Sequence, residues 1–192
     1  HRVWINEGIT RIGEHNYDDR QISLFDSLMF GVLSIPNTVT TIDMNQFSYC
    51  SLLMNVIIPD SVISVGECSF CDNYELETVV LSNSMTVISK GCFWTCENLT
   101  SAAIPDGVER IESSAFRECT SLESITLPSS LTSLEGYVFK DCSSLSTVYF
   151  EGNAPTVTAS TFANCSTELT IYYKEGATGF TNPWNGYPTA SY

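Results

Sequence analysis

Residues Ile104–Thr126 read I-P-D-G-V-E-R-I-E-S-S-A-F-R-E-C-T-S-L-E-S-I-T, and most of the chain consists of copies of this unit. Each copy starts at an apolar anchor residue, and successive anchors lie 23 residues apart. A fixed period without insertions is typical of a solenoid, in which each repeat packs only against its neighbours. The six anchors are Ile35, Ile58, Leu81, Ile104, Leu127 and Phe150.

The apolar residues of each repeat recur at fixed places. Counted from the anchor as position 0, they occupy positions 0, 4, 7, 12, 15, 18 and 21. Only Asn73 and Glu168 depart from this pattern, and Leu169 beside Glu168 indicates a shift by one residue in the last repeat. Because no single repeat can bury all these side chains alone, the pattern predicts a continuous core through the stack. Position 12 is always phenylalanine: Phe47, Phe70, Phe93, Phe116, Phe139 and Phe162.

The spacing of apolar residues also predicts the local structure of a repeat. Leu122–Leu127 alternates with period two, which favours a short strand, and Leu131–Leu134 reads as a second extended piece. Ser113–Leu122 spaces its apolar residues by three, which favours a helical turn of α or 3₁₀ kind. We therefore expect an α/β repeat solenoid, with short parallel strands on one face and helical turns on the other.

Two runs in the repeat resemble a known family. The run L-x-x-I-x-L-P-x-x-L-x-x-L at Leu122–Leu134 and the run A-F-x-x-C-x-x-L at Ala115–Leu122 are similar to BspA-like leucine-rich repeats. The resemblance covers essentially the whole chain, and the tail at Tyr172–Pro188 resembles the closing segment that often follows the last such repeat. It implies a right-handed leucine-rich-repeat-type solenoid in a secreted or cell-surface protein.

The period divides the chain into a core array and two ends. We expect one leucine-rich-repeat domain over residues 1–192, with an atypical N-terminal repeat or cap at 1–34. Six repeats of 23 residues then occupy 35–172, and a C-terminal cap occupies 173–192. The first segment carries extra residues at Asp18–Met29, which we expect to form a loop at one edge.

The net charge of −14 and the pI near 4.2 restrict the partners. An acidic surface without a basic stripe repels a phosphate backbone, so we expect no nucleic-acid partner. No apolar run approaches the roughly 18 residues that a transmembrane helix needs, so we expect no membrane insertion in this segment. We expect a monomer.

Most of the eight cysteines share one repeat position. Recurrence at a core position indicates small buried residues rather than cross-links, so any disulfide should involve the other three, Cys68, Cys71 and Cys92. The cysteine spacing does not suggest a metal site, and both histidines, His1 and His15, lie in the first segment. We expect neither a metal nor a cofactor. The cysteines at position 15 are Cys50, Cys96, Cys119, Cys142 and Cys165.

No arrangement of residues suggests catalysis. His15 is the only internal histidine, no serine stands in a nucleophile motif, and no glycine-rich phosphate loop occurs. We therefore predict that the chain is not an enzyme.

The candidate binding surface follows from strand alternation. The residue before each anchor should point outward, because the core residues lie on either side of it. The best candidates on this face are Ile57, Val80, Thr126, Tyr149 and Tyr172. Exposed aliphatic and aromatic residues suit a partner surface, although strand propensity alone would also favour them. We expect a secreted or cell-surface adhesion module that binds a protein or glycan on a host or neighbouring cell. The alternative is a structural spacer or an accessory domain of a larger surface protein.

Overall fold

The residues before each anchor form strands, as their alternation predicts. The computed structural model describes residues 2–4, 8–13 and 31–192, so the extra residues at Asp18–Met29 and both histidines lie outside the described part. The described strands pair in parallel with the same stretch one repeat later, and Ile57 opposes Val80 as Tyr149 opposes Tyr172. The chain is thus a parallel-strand β-solenoid of about six turns.

The strands form two rows along the stack. One row is made by the longer strands and the other by the two-residue strands around position 7 of each repeat. The bounds of the strands are β1 (Arg2–Trp4), β2 (Arg11–Ile12), β3 (Val32–Ser34), β4 (Thr41–Ile42), β5 (Asn55–Ile57), β6 (Ser64–Val65), β7 (Thr78–Val80), β8 (Val87–Ile88), β9 (Ser101–Ala103), β10 (Arg110–Ile111), β11 (Ser124–Leu127), β12 (Ser133–Leu134), β13 (Thr147–Phe150), β14 (Thr170–Tyr173) and β15 (Thr189–Ser191). The first row contains sheets in the order β1-β3-β5-β7-β9 and β11-β13-β14-β15, and the second contains β2-β4-β6 and β8-β10-β12.

The core is built around a column of phenylalanine rings. All six position-12 rings are buried, and neighbouring rings stack with centroids 5.2–5.7 Å apart and interplanar angles of 7–17°. Leu169 is only 2% exposed, which confirms the shift by one residue in the last repeat. The predicted continuous core is therefore present, and it closes at the C-terminal end against Trp184.

The predicted helical turn is wrong. Within the described ranges no helix occurs, and residues 113–118 form turns. Ser114 and Glu118 have φ angles of 60° and 62°, in the left-handed region that interrupts a right-handed helix. The same two positions are left-handed in most of the other repeats.

Hydrogen bonds along the stack explain why the turn replaces the helix. The backbone N–H groups of Ser114, Phe116 and Glu118 all donate to carbonyl groups of the next repeat, over 2.9–3.1 Å. An α-helix would use these N–H groups within itself. The left-handed residues cost roughly 1–3 kcal/mol each, and the bonds to the neighbouring repeat offset this cost. Apolar residues spaced by three would be buried in a helical turn and are equally buried in the observed turn. The spacing therefore predicts burial but cannot distinguish the two structures.

Position 15 is a ladder of hydrogen-bonding side chains. The Cys119 thiol donates to the carbonyl of Phe93 at 3.3 Å. Asn73 makes the equivalent bond, because its Nδ2 donates to the Phe47 carbonyl at 2.8 Å, and its Oδ1 also accepts the N–H of Cys50 at 2.7 Å. An asparagine is tolerated in the core here because it reproduces the bond of a cysteine and its amide oxygen is bonded as well.

We expect the position-15 cysteines to remain reduced. Burial raises the pKa of Cys96, Cys119 and Cys142, and it raises the pKa of Cys165 to about 12, so their thiolate fractions at neutral pH are very small. Iodoacetamide added to the native protein at pH 7 should leave these thiols unlabelled, whereas the denatured protein should label at all of them. Labelling of Cys119 in the native state at the denatured rate would contradict the assignment.

Candidate binding surface

The outward residues of the longer strands form the surface that we call the strand face. It consists of Ile57, Val80, Ala103, Thr126, Tyr149 and Tyr172, one from each successive repeat. Ile57 is 64% exposed, Val80 is 48% exposed and Thr126 is exposed, whereas Tyr149 and Tyr172 are half-buried. All five candidate residues thus lie on one side of the solenoid, opposite the core residues of the same strands.

The strand face has two chemically different ends. Ile57 and Val80 oppose each other in register and form an apolar patch near the N-terminal half. Beside them runs an open groove that Pro59, Asp60 and Asn83 help to line. Bonds from the Asn83 backbone N–H and from its side chain lower the pKa of Asp60, so this edge of the groove carries a negative charge.

Three tyrosines form the other end, which we call the tyrosine cluster: Tyr149, Tyr172 and Tyr192. The rings of Tyr149 and Tyr172 stack with centroids 5.2 Å apart at 26°. The Tyr192 ring meets Tyr149 edge-on, at 5.4 Å and 88°. Tyr192 is carried there because β15 pairs in parallel with β14, placing Ala190 opposite Tyr172.

An ion pair borders the tyrosine cluster. Glu151 accepts a hydrogen bond from the Tyr192 hydroxyl at 2.8 Å and pairs with the Lys174 ammonium at 2.9 Å. The bond and charge of Lys174, together with the Tyr192 bond, lower the pKa of Glu151. Burial, followed by the bond to Glu151, raises the pKa of Tyr192 to about 12. At neutral pH this edge therefore presents a charged carboxylate held by a neutral phenol and an ammonium.

The repeat pattern of the sequence does not indicate Tyr192 as a member of this surface. The period ends before β15, and the last 20 residues read only as a cap rich in glycine, proline and aromatics. The signal that could have found it is the short run Thr189–Tyr192, where a polar-apolar alternation ends in an aromatic residue. Its pairing to β14 depends on the turn that precedes it, which periodicity does not encode.

The turn side holds a pair of cysteines, Cys68 and Cys71, which are spaced as C-x-x-C in the run C-S-F-C. Together with Cys92 they are the cysteines that the sequence predicts any disulfide to involve. The structure places both thiols on one turn, away from the strand face.

Across the described ranges, no group of three or more histidine, cysteine or acidic side chains could hold a metal ion. In the same part of the chain, no helix is long and apolar enough to cross a bilayer.

Comparison with known proteins identifies the family. A family model for the BspA type leucine rich repeat region matches six copies, over residues 21–106 and 86–182. The chain belongs to the BspA-type leucine-rich repeat family. This confirms the resemblance that the F-x-x-C-x-x-L run indicated.

Solved structures of bacterial leucine-rich repeat proteins share the fold. A leucine rich cell surface protein from Faecalibacterium prausnitzii is 34% identical, with a TM-score of 0.59 over 62% of this chain and 31% of that one. A leucine-rich repeat protein from Eubacterium ventriosum is 25% identical, with a TM-score of 0.66 over 79% of this chain and 40% of that one. One from Bacteroides ovatus is 22% identical, with a TM-score of 0.58 over 100% of this chain and 60% of that one.

The BspA-type chain thus spans less than two thirds of each of these three proteins. A search of the curated proteins gave no match. The family and the structural relatives indicate that the chain is a protein-binding or structural repeat module.

Proposed function

We propose that this BspA-type chain is a non-enzymatic, extracellular binding module that recognises a protein or a glycan through its strand face. The observation that carries the proposal is the tyrosine cluster. Two stacked rings and a third edge-on ring stand on the outward side of neighbouring strands, where nothing in the core requires an aromatic residue. The residue at the same repeat position is Ala103 or Thr126 in other repeats, so the strands form without it.

Tyrosines suit this role for physical reasons. Each supplies a large, rigid apolar face at a small cost in side-chain entropy, together with a hydroxyl at its tip. Such residues dominate the binding energy of many protein interfaces, and flat aromatic faces also stack on sugars. Because Tyr149 and Tyr172 already stack on each other, their side chains lose little conformational entropy when a partner binds.

The charge around the cluster restricts the partner. Glu151 borders Tyr192, and the exposed Glu123 lies just before β11, on a chain whose net charge is −14. Lys174 neutralises only one of these carboxylates. We therefore expect a basic or neutral partner, and the acidic field favours the approach of a basic one at low ionic strength.

The relatives support an extracellular location. The Faecalibacterium prausnitzii structure is that of a cell surface protein, and it aligns to 62% of this chain. Solenoids of this kind use extended faces as binding surfaces. We accordingly propose that the chain is secreted or displayed at the cell surface and acts as a monomer. The domain limits of 1–34, 35–172 and 173–192 stay a prediction.

A structural spacer is the second candidate function. The chain aligns to only 31–60% of its three structural relatives, so it resembles one segment of larger proteins. A spacer or accessory domain would hold another domain away from a surface and would need no ligand of its own. The two functions differ in whether the isolated module binds anything.

We expect the double variant Tyr149→Ser/Tyr172→Ser to fold and to lose binding. Both residues are half-buried on the strand face, so their loss removes a ring pair worth about 1 kcal/mol without opening the core. Binding is measured on glycan arrays and on a panel of host matrix proteins, and folding by circular dichroism and thermal melts. The matched control is Tyr49→Ser/Tyr137→Ser, which removes two exposed tyrosines from the turn side.

The outcomes separate the proposals. Loss of binding in the first variant but not in the control supports the strand face. Binding equal to wild type in a folded first variant would contradict the strand-face proposal. No binding by the wild-type module in either assay would favour the spacer.

A further inference from the structure

The turn at residues 68–71 brings two thiols together. The backbone N–H of Cys71 donates to the carbonyl of Cys68 at 3.3 Å, which closes a four-residue turn. The two thiols also lie close enough for each to shift the pKa of the other. A turn of this kind keeps the first and fourth Cα atoms within about 7 Å, and a disulfide requires roughly 4.4–6.8 Å. The Cα spacing of such a turn therefore overlaps the range that a disulfide can bridge.

The next repeat leaves room for this pair. Gly91 occupies the place equivalent to Cys68, and a Cβ atom on Gly91 would lie 2.9 Å from the Cys68 sulfur. Trp94 occupies the place equivalent to Cys71 in the next repeat, and Cys71 is buried whereas Cys68 is partly exposed. One thiol is thus open to a small reagent, and the other lies directly behind it.

No other cysteine matches this arrangement. The thiols of Cys96, Cys119, Cys142 and Cys165 donate to phenylalanine carbonyl groups in the core. Cys92 lies close enough to Cys68 for their charges to interact, but it is completely buried. It is the only alternative partner that the neighbourhood of Cys68 suggests, and the test below distinguishes it.

The neighbouring thiol, rather than the surrounding charges, favours the Cys68 thiolate. The interaction with the Cys71 thiol lowers the pKa of Cys68 to about 7, although burial and the charges of Glu67 and Asp72 oppose this shift, and Lys90 adds a smaller effect in the same direction as Cys71. The same interaction, together with burial, raises the pKa of Cys71. An exposed thiolate backed by a protonated thiol is the arrangement of an attacking and a resolving cysteine.

We propose that Cys68 and Cys71 form a redox site that exchanges with low-molecular-weight disulfides and closes to an intramolecular disulfide. The Cys68 thiolate attacks one sulfur of the small disulfide, whose S–S bond breaks and releases one thiolate. The Cys71 thiol then loses its proton to solvent and attacks the Cys68 sulfur, which releases the second small thiolate. The protein dithiol is oxidised by two electrons, and the small disulfide is reduced to two thiols.

The test uses the full chain in its native state with oxidised glutathione as the probe. After incubation, the protein is acid-quenched, denatured, alkylated and cleaved after glutamate. Cleavage after Glu67 and Glu75 isolates residues 68–75, a peptide with Cys68 and Cys71 as its only cysteines. We expect this peptide to be recovered unalkylated and lighter by two hydrogens, at a rate that rises as the pH passes through about 7.

Two variants assign the roles and a third serves as the control. Cys71→Ser should accumulate a glutathione adduct on Cys68, because the resolving thiol is absent, and Cys68→Ser should form neither adduct nor bridge. Cys165→Ser, on the buried ladder, should close the bridge as wild type does. The proposal is overturned if peptide 68–75 is fully alkylated after native incubation, or if it is linked instead to the peptide 78–97 that carries Cys92.

Discussion

Phe116→Ala is expected to lower the free energy of unfolding by about 3–5 kcal/mol, the range for deleting a buried phenylalanine side chain. The Phe116 ring is fully buried and stacks between Phe93 at 5.4 Å and Phe139 at 5.7 Å. Its loss leaves a cavity that both neighbouring repeats line, and the backbone cannot collapse into it because the turn is tied to the next repeat. Denaturant titration followed by circular dichroism measures the change.

The control for this prediction is Ser144→Ala, at an exposed position of the next repeat. It should change the free energy of unfolding by no more than about 0.5 kcal/mol. If the two variants unfold at the same denaturant concentration, the phenylalanine column does not support the core and the packing described above is wrong.

Asn73→Ala is expected to lower the free energy of unfolding by about 3 kcal/mol, because it removes three hydrogen bonds of a buried side chain, each worth roughly 0.5–1.5 kcal/mol. The Asn73 side chain donates to the carbonyls of Phe47 and Phe70, at 2.8 and 3.0 Å, and accepts from the N–H of Cys50. It is completely buried, so water cannot replace these bonds. If this position required only a small apolar side chain, alanine would lower the free energy of unfolding by much less.

The substitution Asn73→Cys separates the two views. Cysteine would restore the donor to Phe47, as the Cys119 thiol donates to Phe93 elsewhere in the ladder, so we expect a loss of only about 1 kcal/mol. Thermal melts of both variants beside wild type provide the measurement. Equal destabilisation by alanine and cysteine would show that the ladder bonds contribute nothing and that volume alone matters.

The strand face illustrates how much of a candidate functional surface can be predicted from the sequence. Alternation around each anchor places Ile57, Val80, Thr126, Tyr149 and Tyr172 on one outward surface, and the structure has them there. Whether that surface binds a partner is a separate property, since strand propensity alone would also favour these residue types. The third tyrosine and the Glu151–Lys174 pair, which give the cluster its shape and charge, follow from the pairing of β15 with β14.

By itself the sequence determined the repeat length, the buried positions, the parallel stacking and the side of each strand that faces outward. These properties follow from the spacing of apolar residues, because the positions that must be buried in the stack recur at the same places in every repeat. The tertiary structure decided the turn at Ser113–Leu122, the role of Asn73, the position of Tyr192 and the meeting of Cys68 with Cys71. Each of these depends on which group a backbone N–H, an amide or a thiol bonds in the neighbouring repeat or turn. Hydrophobic periodicity records which side chains leave water, and it carries no information about hydrogen-bond partners.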